Sequence, residues 1–274
     1  MRNLFIQQRL ALAAFIFLST IMFTTYYLFS ITLSNTSLAS GAILLIFIFI
    51  LASYQLRKKL PFLSIGSTSA WLHFHIFVGL LSSVLFLLHI KMQIPDGQFE
   101  FILFLTYSTV FITGVIGWIL SRSIPYRLLS RGEEVIFERI PIHRRTIHNK
   151  VKGLVFENTN PDEGAAIPDF YDKYLRIFFE GPQNQMRHLL HSKRHRHQLS
   201  QKMAALIPYL NEQEQVVLQQ LEEQVQLKDD LDYQYALQAT MKLWLFVHIP
   251  LTYSLIIFAL FHTIAVCAFA STIG

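Results

Sequence analysis

Five stretches of this chain carry no Asp, Glu, Lys or Arg over about 20 residues, the length an α-helix needs to cross a hydrocarbon core. They run from Leu10 to Thr32, Leu38 to Leu56, Ala70 to Ile90, Phe101 to Leu120 and Leu243 to Ala270. Unsatisfied backbone groups are too costly in lipid for an open strand or loop, so each stretch is expected to be a helix. The first could be taken for a cleaved signal peptide. Its apolar part runs past about 20 residues with no small-residue cleavage site near its end, and a retained helix is the expectation. The expected fold class is all-α: five transmembrane helices in a bundle, with a mostly helical insert, residues 122–242, between helices four and five.

Composition narrows the function classes. With 53% hydrophobic and 15% charged residues among 274, the chain is too apolar for an ordinary soluble, disordered or nucleic-acid-binding protein. A single cysteine, Cys267, excludes an intramolecular disulfide, a CxxC zinc site, a cysteine-ligated iron–sulfur cluster and the CxxCH attachment of covalent haem.

Five crossings put the termini on opposite sides, and basic residues choose the sides. One side holds Arg2, Arg9, the Arg57, Lys58, Lys59 group and every basic residue from Arg122 to Lys242; the other holds Lys91 alone, a split of 22 to 1 among the 23 Lys and Arg. The amino terminus and the insert are therefore expected in the cytoplasm and the carboxyl-terminal tail outside an inner, cytoplasmic membrane. Trp71, Trp118 and Trp244 fall at the cytoplasmic ends of helices three, four and five, as an aromatic belt does.

Within the insert, EEVIFERI (133–140) and VKGLVFE (151–157) alternate enough to predict short strands, or a strand and a helix edge, and ENTNPDEGAAIP (157–168) predicts a loop. DFYDKYLRIFF (169–179) puts Phe170, Tyr171, Tyr174, Leu175 and Phe178 on one helical face, stopped by Gly181-Pro182. Asn211 and Glu214 form a cap signature before a helix striped by Leu218, Leu221 and Val225, and this helix, or a second one after Asp229, is expected to run on into helix five. No GxGxxG, GxxxxGK[ST] or other glycine-rich phosphate cradle supports nucleotide or flavin binding. In RHLLHSKRHRH (187–197), His188, His191 and His195 share a helix face. No carboxylate or cysteine accompanies them and four Lys or Arg are interleaved, so a basic amphipathic helix on anionic headgroups, or one docking an acidic redox partner, is expected over a metal site. His197, His143 and His148 carry no motif.

The spanning stretches hold no ionisable group of the usual kinds except histidine: His73, His75 and His89 on helix three, His248 and His262 on helix five. An intramembrane ionisable residue is a functional candidate because leaving it unpaired in hydrocarbon is expensive. His75 to His89 and His248 to His262 are both separations of 14 positions, about 21 Å of rise and about 40° short of four turns. Each helix thus presents two imidazoles on nearly one face. His73 lies about 200° around from His75 and is excluded as a ligand. Helices three and five run the same way through the bilayer, so His75 is expected level with His248 and His89 level with His262. Two opposed neutral imidazoles at one level suit bis-histidine ligation of haem iron, and two levels suit two non-covalent haems about 20 Å apart. Gly79, one turn after His75, leaves room for a porphyrin against the backbone. Gly114 and Gly117 on helix four are read as close helix packing, and Pro250 as a kink near the start of helix five.

WLHFHIFVGLLSSVLFLLH (71–89) and HIPLTYSLIIFALFH (248–262) resemble the histidine-pair helices of di-haem membrane cytochromes b, the bis-histidine four-helix type that includes ferric reductase-like transmembrane domains. The resemblance covers helices three to five, about a quarter of the chain. It implies that His75, His89, His248 and His262 are axial ligands of two b-type haems. The chain departs from the reductases in lacking their flavin and nicotinamide domain and in its long insert. It is expected to be an electron-transfer subunit of an oxidoreductase system and not a complete enzyme, with no catalytic residue of its own. A redox partner or subunit would meet the cytoplasmic face and another donor or acceptor the external one; a quinone could serve at either haem, though no sequence feature locates its site. A transporter or receptor whose histidines handle protons is the other class this pattern admits.

Overall fold

A computed structural model describes residues 2–32, 36–59, 67–129, 135–156, 166–190 and 194–270. Among these residues there are helices and no strands. Five helices are long and apolar enough to cross a membrane: α1 (Arg2–Thr32), α2 (Thr36–Lys59), α3 (Thr68–His89), α4 (Gln98–Leu128) and the long α10 (Glu212–Ala270). Between α4 and α10 lie α5 (Ile140–Phe156), α6 (Ala166–Phe170), α7 (Arg176–Glu180), α8 (Gln185–Leu189) and α9 (Arg194–Ala204). The chain divides into two compact units, residues 1–118 with 244–274, and residues 119–243.

The first unit is the apolar one. Leu44 and Ile48 of α2, Leu85 and Phe86 of α3, Tyr107 of α4, and Leu255 and Ala259 of α10 make its core. α1 packs on α3 through an edge-to-face pair, Phe15 on Phe77, at 6.3 Å, and its spanning stretch buries nothing within the protein. Hydroxyls along the spanning helices return to their own backbones: Thr20 to Ile16, Thr24 to Thr20, Thr106 to Ile102 and Thr109 to Leu105, each at 2.8 Å. Such back-bonding satisfies a polar group where lipid offers no partner. α10 continues through Pro250 without interruption. Trp244 lies across Gly117, where an added Cβ would come 1.9 Å from the indole Cζ2, so Gly117 serves close packing as expected.

The second unit, the insert, has its own core, and here the structure corrects two sequence expectations. Residues 137–139 form a 3₁₀ turn and 140–156 a helix, where short strands, or a strand and a helix edge, were expected. The reason is periodicity: Ile140, Ile147, Val151 and Val155 are all buried, and spacings of seven, four and four align on a helix. Residues 133 and 134, and 157–165 of the expected loop, lie outside the described residues; 166–168 already belong to α6. The 169–179 helix is present with one π-turn, Tyr171–Leu175, inserted between α6 and α7, and it ends at Gly181 as expected. Its Phe170, Tyr171, Leu175 and Phe178 are buried and Tyr174 packs against them. Leu218, Leu221 and Val225 form the expected buried stripe of α10. Asn211 and Glu214 make the reciprocal cap, each backbone N–H donating to the other's side chain at 2.9 and 2.8 Å.

The second correction concerns the 187–197 stretch. α8 stops at Leu189 and α9 starts at Arg194, so His188 and His195 belong to different helices and share no helix face. His188 is buried beside Asp229, 3.8 Å away; His191 and the side chain of His195 lie outside the described residues. The apolar side of α9, Leu199 and Met203, is buried in the insert core, so it does not face headgroups as an amphipathic surface helix would.

One charged cluster fastens the insert. Lys228 and Asp232, a turn apart on α10 and almost wholly buried, form an ion pair. Lys228 also donates to the Gly181 carbonyl at 2.7 Å, Asp232 accepts from the Gln183 backbone N–H at 3.0 Å, and Arg144 of α5 stands 3.4 Å from its other oxygen. Burial pushes the Asp232 carboxyl above its usual range and the Lys228 ammonium below its own, with their mutual attraction opposing both shifts. Removing one charge would leave the others buried without compensation, a loss of about 3–5 kcal/mol. Asp232→Asn is expected to destabilise the insert by about that amount, seen as faster amide hydrogen exchange over α5 and residues 176–190 of the full-length protein. Unchanged protection would show that the cluster carries no net stability.

Candidate functional site

The helix pattern sets the four membrane histidines around two cavities in the first unit. His75 and His248 line one, with Gly79, Gly114, Tyr107 and Trp118. His89 and His262 line the other, with Gly41, Phe86, Lys91 and Glu100. The pairing is the one expected from equal spacings, and it requires α3 and the second half of α10 to run in the same direction. Among the described residues both cavities are walled by α2, α3, α4 and α10, with none from α1. His73 lines neither; it is exposed, and its Nδ1 lies 2.7 Å from the Ser69 carbonyl of its own helix.

Two of these imidazoles have a hydroxyl partner at Nδ1. The Thr113 hydroxyl on α4 donates to the Thr109 and Val110 carbonyls, both at 2.9 Å, and its oxygen lies 2.8 Å from His248 Nδ1. The Ser40 hydroxyl on α2 donates to the Ser37 carbonyl at 3.1 Å and lies 3.0 Å from His89 Nδ1. A ring that donates from Nδ1 to such a hydroxyl keeps its lone pair on Nε2, the form that a metal-ligating imidazole takes when its outer nitrogen is held by a second partner.

Other contacts fix the ring planes. Trp244 stacks on His248 at 5.3 Å and 21° and donates its indole N–H to the Thr113 carbonyl at 2.7 Å. Thr113 therefore holds two aromatic groups of α10, His248 and Trp244, one through each oxygen. Tyr54 packs on His75 at 5.1 Å, and Phe99 stacks on His262 at 6.3 Å. Glycines allow the close approach: an added Cβ at Gly41 would meet His89 Cε1 at 3.0 Å, and one at Gly114 would meet His248 Cε1 at 3.6 Å. Gly114, read from sequence as a packing residue, thus borders a cavity, and Gly79 borders it too.

Tyr107, Ile48 and Leu255 line both cavities and so form the partition between them. Ser82 donates to the Gly79 carbonyl at 2.8 Å, leaving its oxygen to accept the Tyr107 hydroxyl at 2.9 Å. The Tyr107 ring stacks on Phe86 at 3.9 Å and 16°. The two cavities differ in size, about 100 Å³ at His75 and His248 and about 710 Å³ at His89 and His262. Among the described residues no three His, Cys, Asp or Glu side chains converge as a metal cluster. The site chemistry consists of imidazole pairs in apolar surroundings.

Sequence reasoning missed Ser40, Gly41, Thr113 and Tyr107. A small or hydroxyl residue facing an imidazole on another helix leaves no periodic signal of its own; a search for Ser, Thr and Gly among the apolar residues of helices two and four would have raised all but Tyr107.

Two substitutions test this geometry without any ligand. Gly117→Ala is expected to displace the Trp244 indole and cost about 1–3 kcal/mol by overpacking, while Gly114→Ala is tolerated; tryptophan fluorescence and unfolding in detergent measure both. Thr113→Val removes the acceptor for His248 Nδ1–H, and ¹⁵N-histidine shifts are expected to move that ring toward a mixture of tautomers. An unmoved His248 signal would contradict the assigned hydrogen bond. Searches against protein-family models, curated proteins and solved structures return no match to this chain, so the functional reading rests on these residues and their arrangement.

Proposed function

We propose that this chain is an integral membrane b-type cytochrome, with His89 and His262 as axial ligands of one haem and His75 and His248 as those of a second. The observation that carries the reading is the distribution of the four histidines: two per cavity, each pair drawn from α3 and α10. The hydroxyl partners at Nδ1 of His89 and His248 support it, since a ring that donates there leaves Nε2 to ligate.

The two cavities meet the requirement differently. At about 710 Å³, bordered mostly by apolar side chains and by Gly41, the His89/His262 cavity lies in the size range of cofactor sites. The His75/His248 cavity, about 100 Å³, is smaller than a porphyrin, and occupation there requires side chains such as Leu51, Leu80 or Phe111 to move.

A six-coordinate haem exchanges single electrons and has no open position for oxygen or substrate. The chain's own residues would do the rest: Ser40 and Thr113 orient imidazoles, Tyr54, Phe99 and Trp244 fix ring planes, and Tyr107 with Phe86 keeps the two cavities apart. The protein is read as an electron-transfer subunit of a multi-pass inner-membrane system. The 22 to 1 charge split supports a cytoplasmic amino terminus and insert and an external carboxyl terminus. The insert would meet the cytoplasmic partner, with a quinone or an external protein completing the circuit.

Haem content of the purified protein tests the reading. Two haems per chain are expected by pyridine haemochromogen assay, falling to one in His89→Ala and in His262→Ala. One haem in the wild type, lost in His89→Ala and kept in His75→Ala, would restrict the proposal to the larger cavity. A protein with no extractable haem would overturn it.

A further inference from the structure

α3 ends in an unusual way. Lys91 and Met92 follow it with φ of 53° and 57°, the left-handed region where a helix terminus ordinarily places glycine. Neither residue is glycine, and both hold their conformation through the turn bonds Lys91 N–H to Leu88 and Met92 N–H to Leu87, at 3.1 and 3.0 Å. A side chain kept at a position that favours glycine invites the question of what it does there.

Lys91 stands two residues past His89 and lines the larger cavity, and among the described residues no other Lys or Arg borders it. It is exposed, and among the described residues it makes no ion pair. Two carboxylates, Asp96 and Glu100, share the lining. The Glu100 carboxylate lies over Gly97, where an added Cβ would meet Oε2 at 2.0 Å, in the first turn of α4. There the positive end of the helix dipole favours it. The cavity is thus an apolar chamber with two imidazoles inside and a single cation at its rim.

We propose that Lys91 is the anion anchor of this cavity, binding one carboxylate of an amphipathic planar ligand whose apolar ring lies between His89 and His262. On the reading of the cavity as a haem site, on which this inference rests, that carboxylate is a haem propionate. Asp96 and Glu100 repel a second carboxylate, so the anchoring is one-sided. The left-handed turn holds the lysine at the rim, close behind the ligating histidine.

The test compares haem with haem dimethyl ester, which lacks both carboxylates, bound to the full-length protein in detergent. The readout is the rate of transfer to excess apomyoglobin from the His89/His262 site, identified by its absence in His89→Ala. Haem is expected to leave the wild type about tenfold more slowly than the ester, as the loss of one charge-assisted contact implies. Lys91→Gly relieves the backbone and removes the cation, and Lys91→Met removes the cation alone; both are expected to bring haem to the ester's rate and leave the ester unaffected. Lys91→Arg should keep the difference. Equal rates for haem and ester in the wild type, or a difference that survives in Lys91→Gly and Lys91→Met, would overturn the role of Lys91 while leaving the haem site intact. Failure of both compounds to bind the wild type would overturn the site and the anchor together.

Discussion

Within an apolar bundle every polar atom must find its partner in the protein, because lipid supplies none. The first unit of this chain is organised by that requirement. Its threonines and serines donate to carbonyls of their own helices, and at Ser40 and Thr113 the same hydroxyl oxygen also meets an imidazole Nδ1 from another helix. One inexpensive local bond thus places the partner of a histidine on a neighbouring helix. Thr113 reaches further, since its carbonyl also takes the Trp244 indole that stacks on His248. A single residue of α4 therefore governs the orientation of one end of the α10 histidine series, with Gly114 and Gly117 giving the rings room to approach.

The insert solves the opposite problem. It has ordinary burial on one face of each helix, so hydrophobic packing is available, and its polar chemistry is concentrated in the Lys228, Asp232 and Arg144 group. Those charges hold the residues after α7 against α10 and α5. Its basic residues account for most of the charge asymmetry, while the apolar face of its most basic short helix, α9, is spent on its own core.

How much of this was legible in the sequence depended on whether the signal was periodic. Five uncharged stretches marked five helices because length alone decides what crosses a bilayer, although α4 and α10 extend well past the apolar part. Equal separations within two histidine pairs indicated which imidazoles line the same cavity. The buried stripe at Leu218, Leu221 and Val225 and the cap at Asn211 and Glu214 were readable for the same reason. The 133–157 region was misread because local alternation of apolar and polar residues outweighed the longer spacing from Ile140 to Val155. The 187–197 histidines were misread because a break at residue 190 cannot be inferred from a stretch lacking glycine and proline. Ser40, Gly41 and Thr113 stood out only as small or hydroxyl residues among apolar ones, and Tyr107 not at all, because their importance comes from which helix packs on which, and no single segment records that.

The central claim is that paired imidazoles ligate iron in this bundle. Electron paramagnetic resonance of the oxidised, full-length protein tests it most directly, since bis-imidazole ligation gives low-spin ferric haem. The account predicts low-spin ferric signals without a high-spin component, and loss of one of them in His262→Ala. A protein purified with stoichiometric haem whose signal is high-spin, or unaltered by His262→Ala, would contradict it.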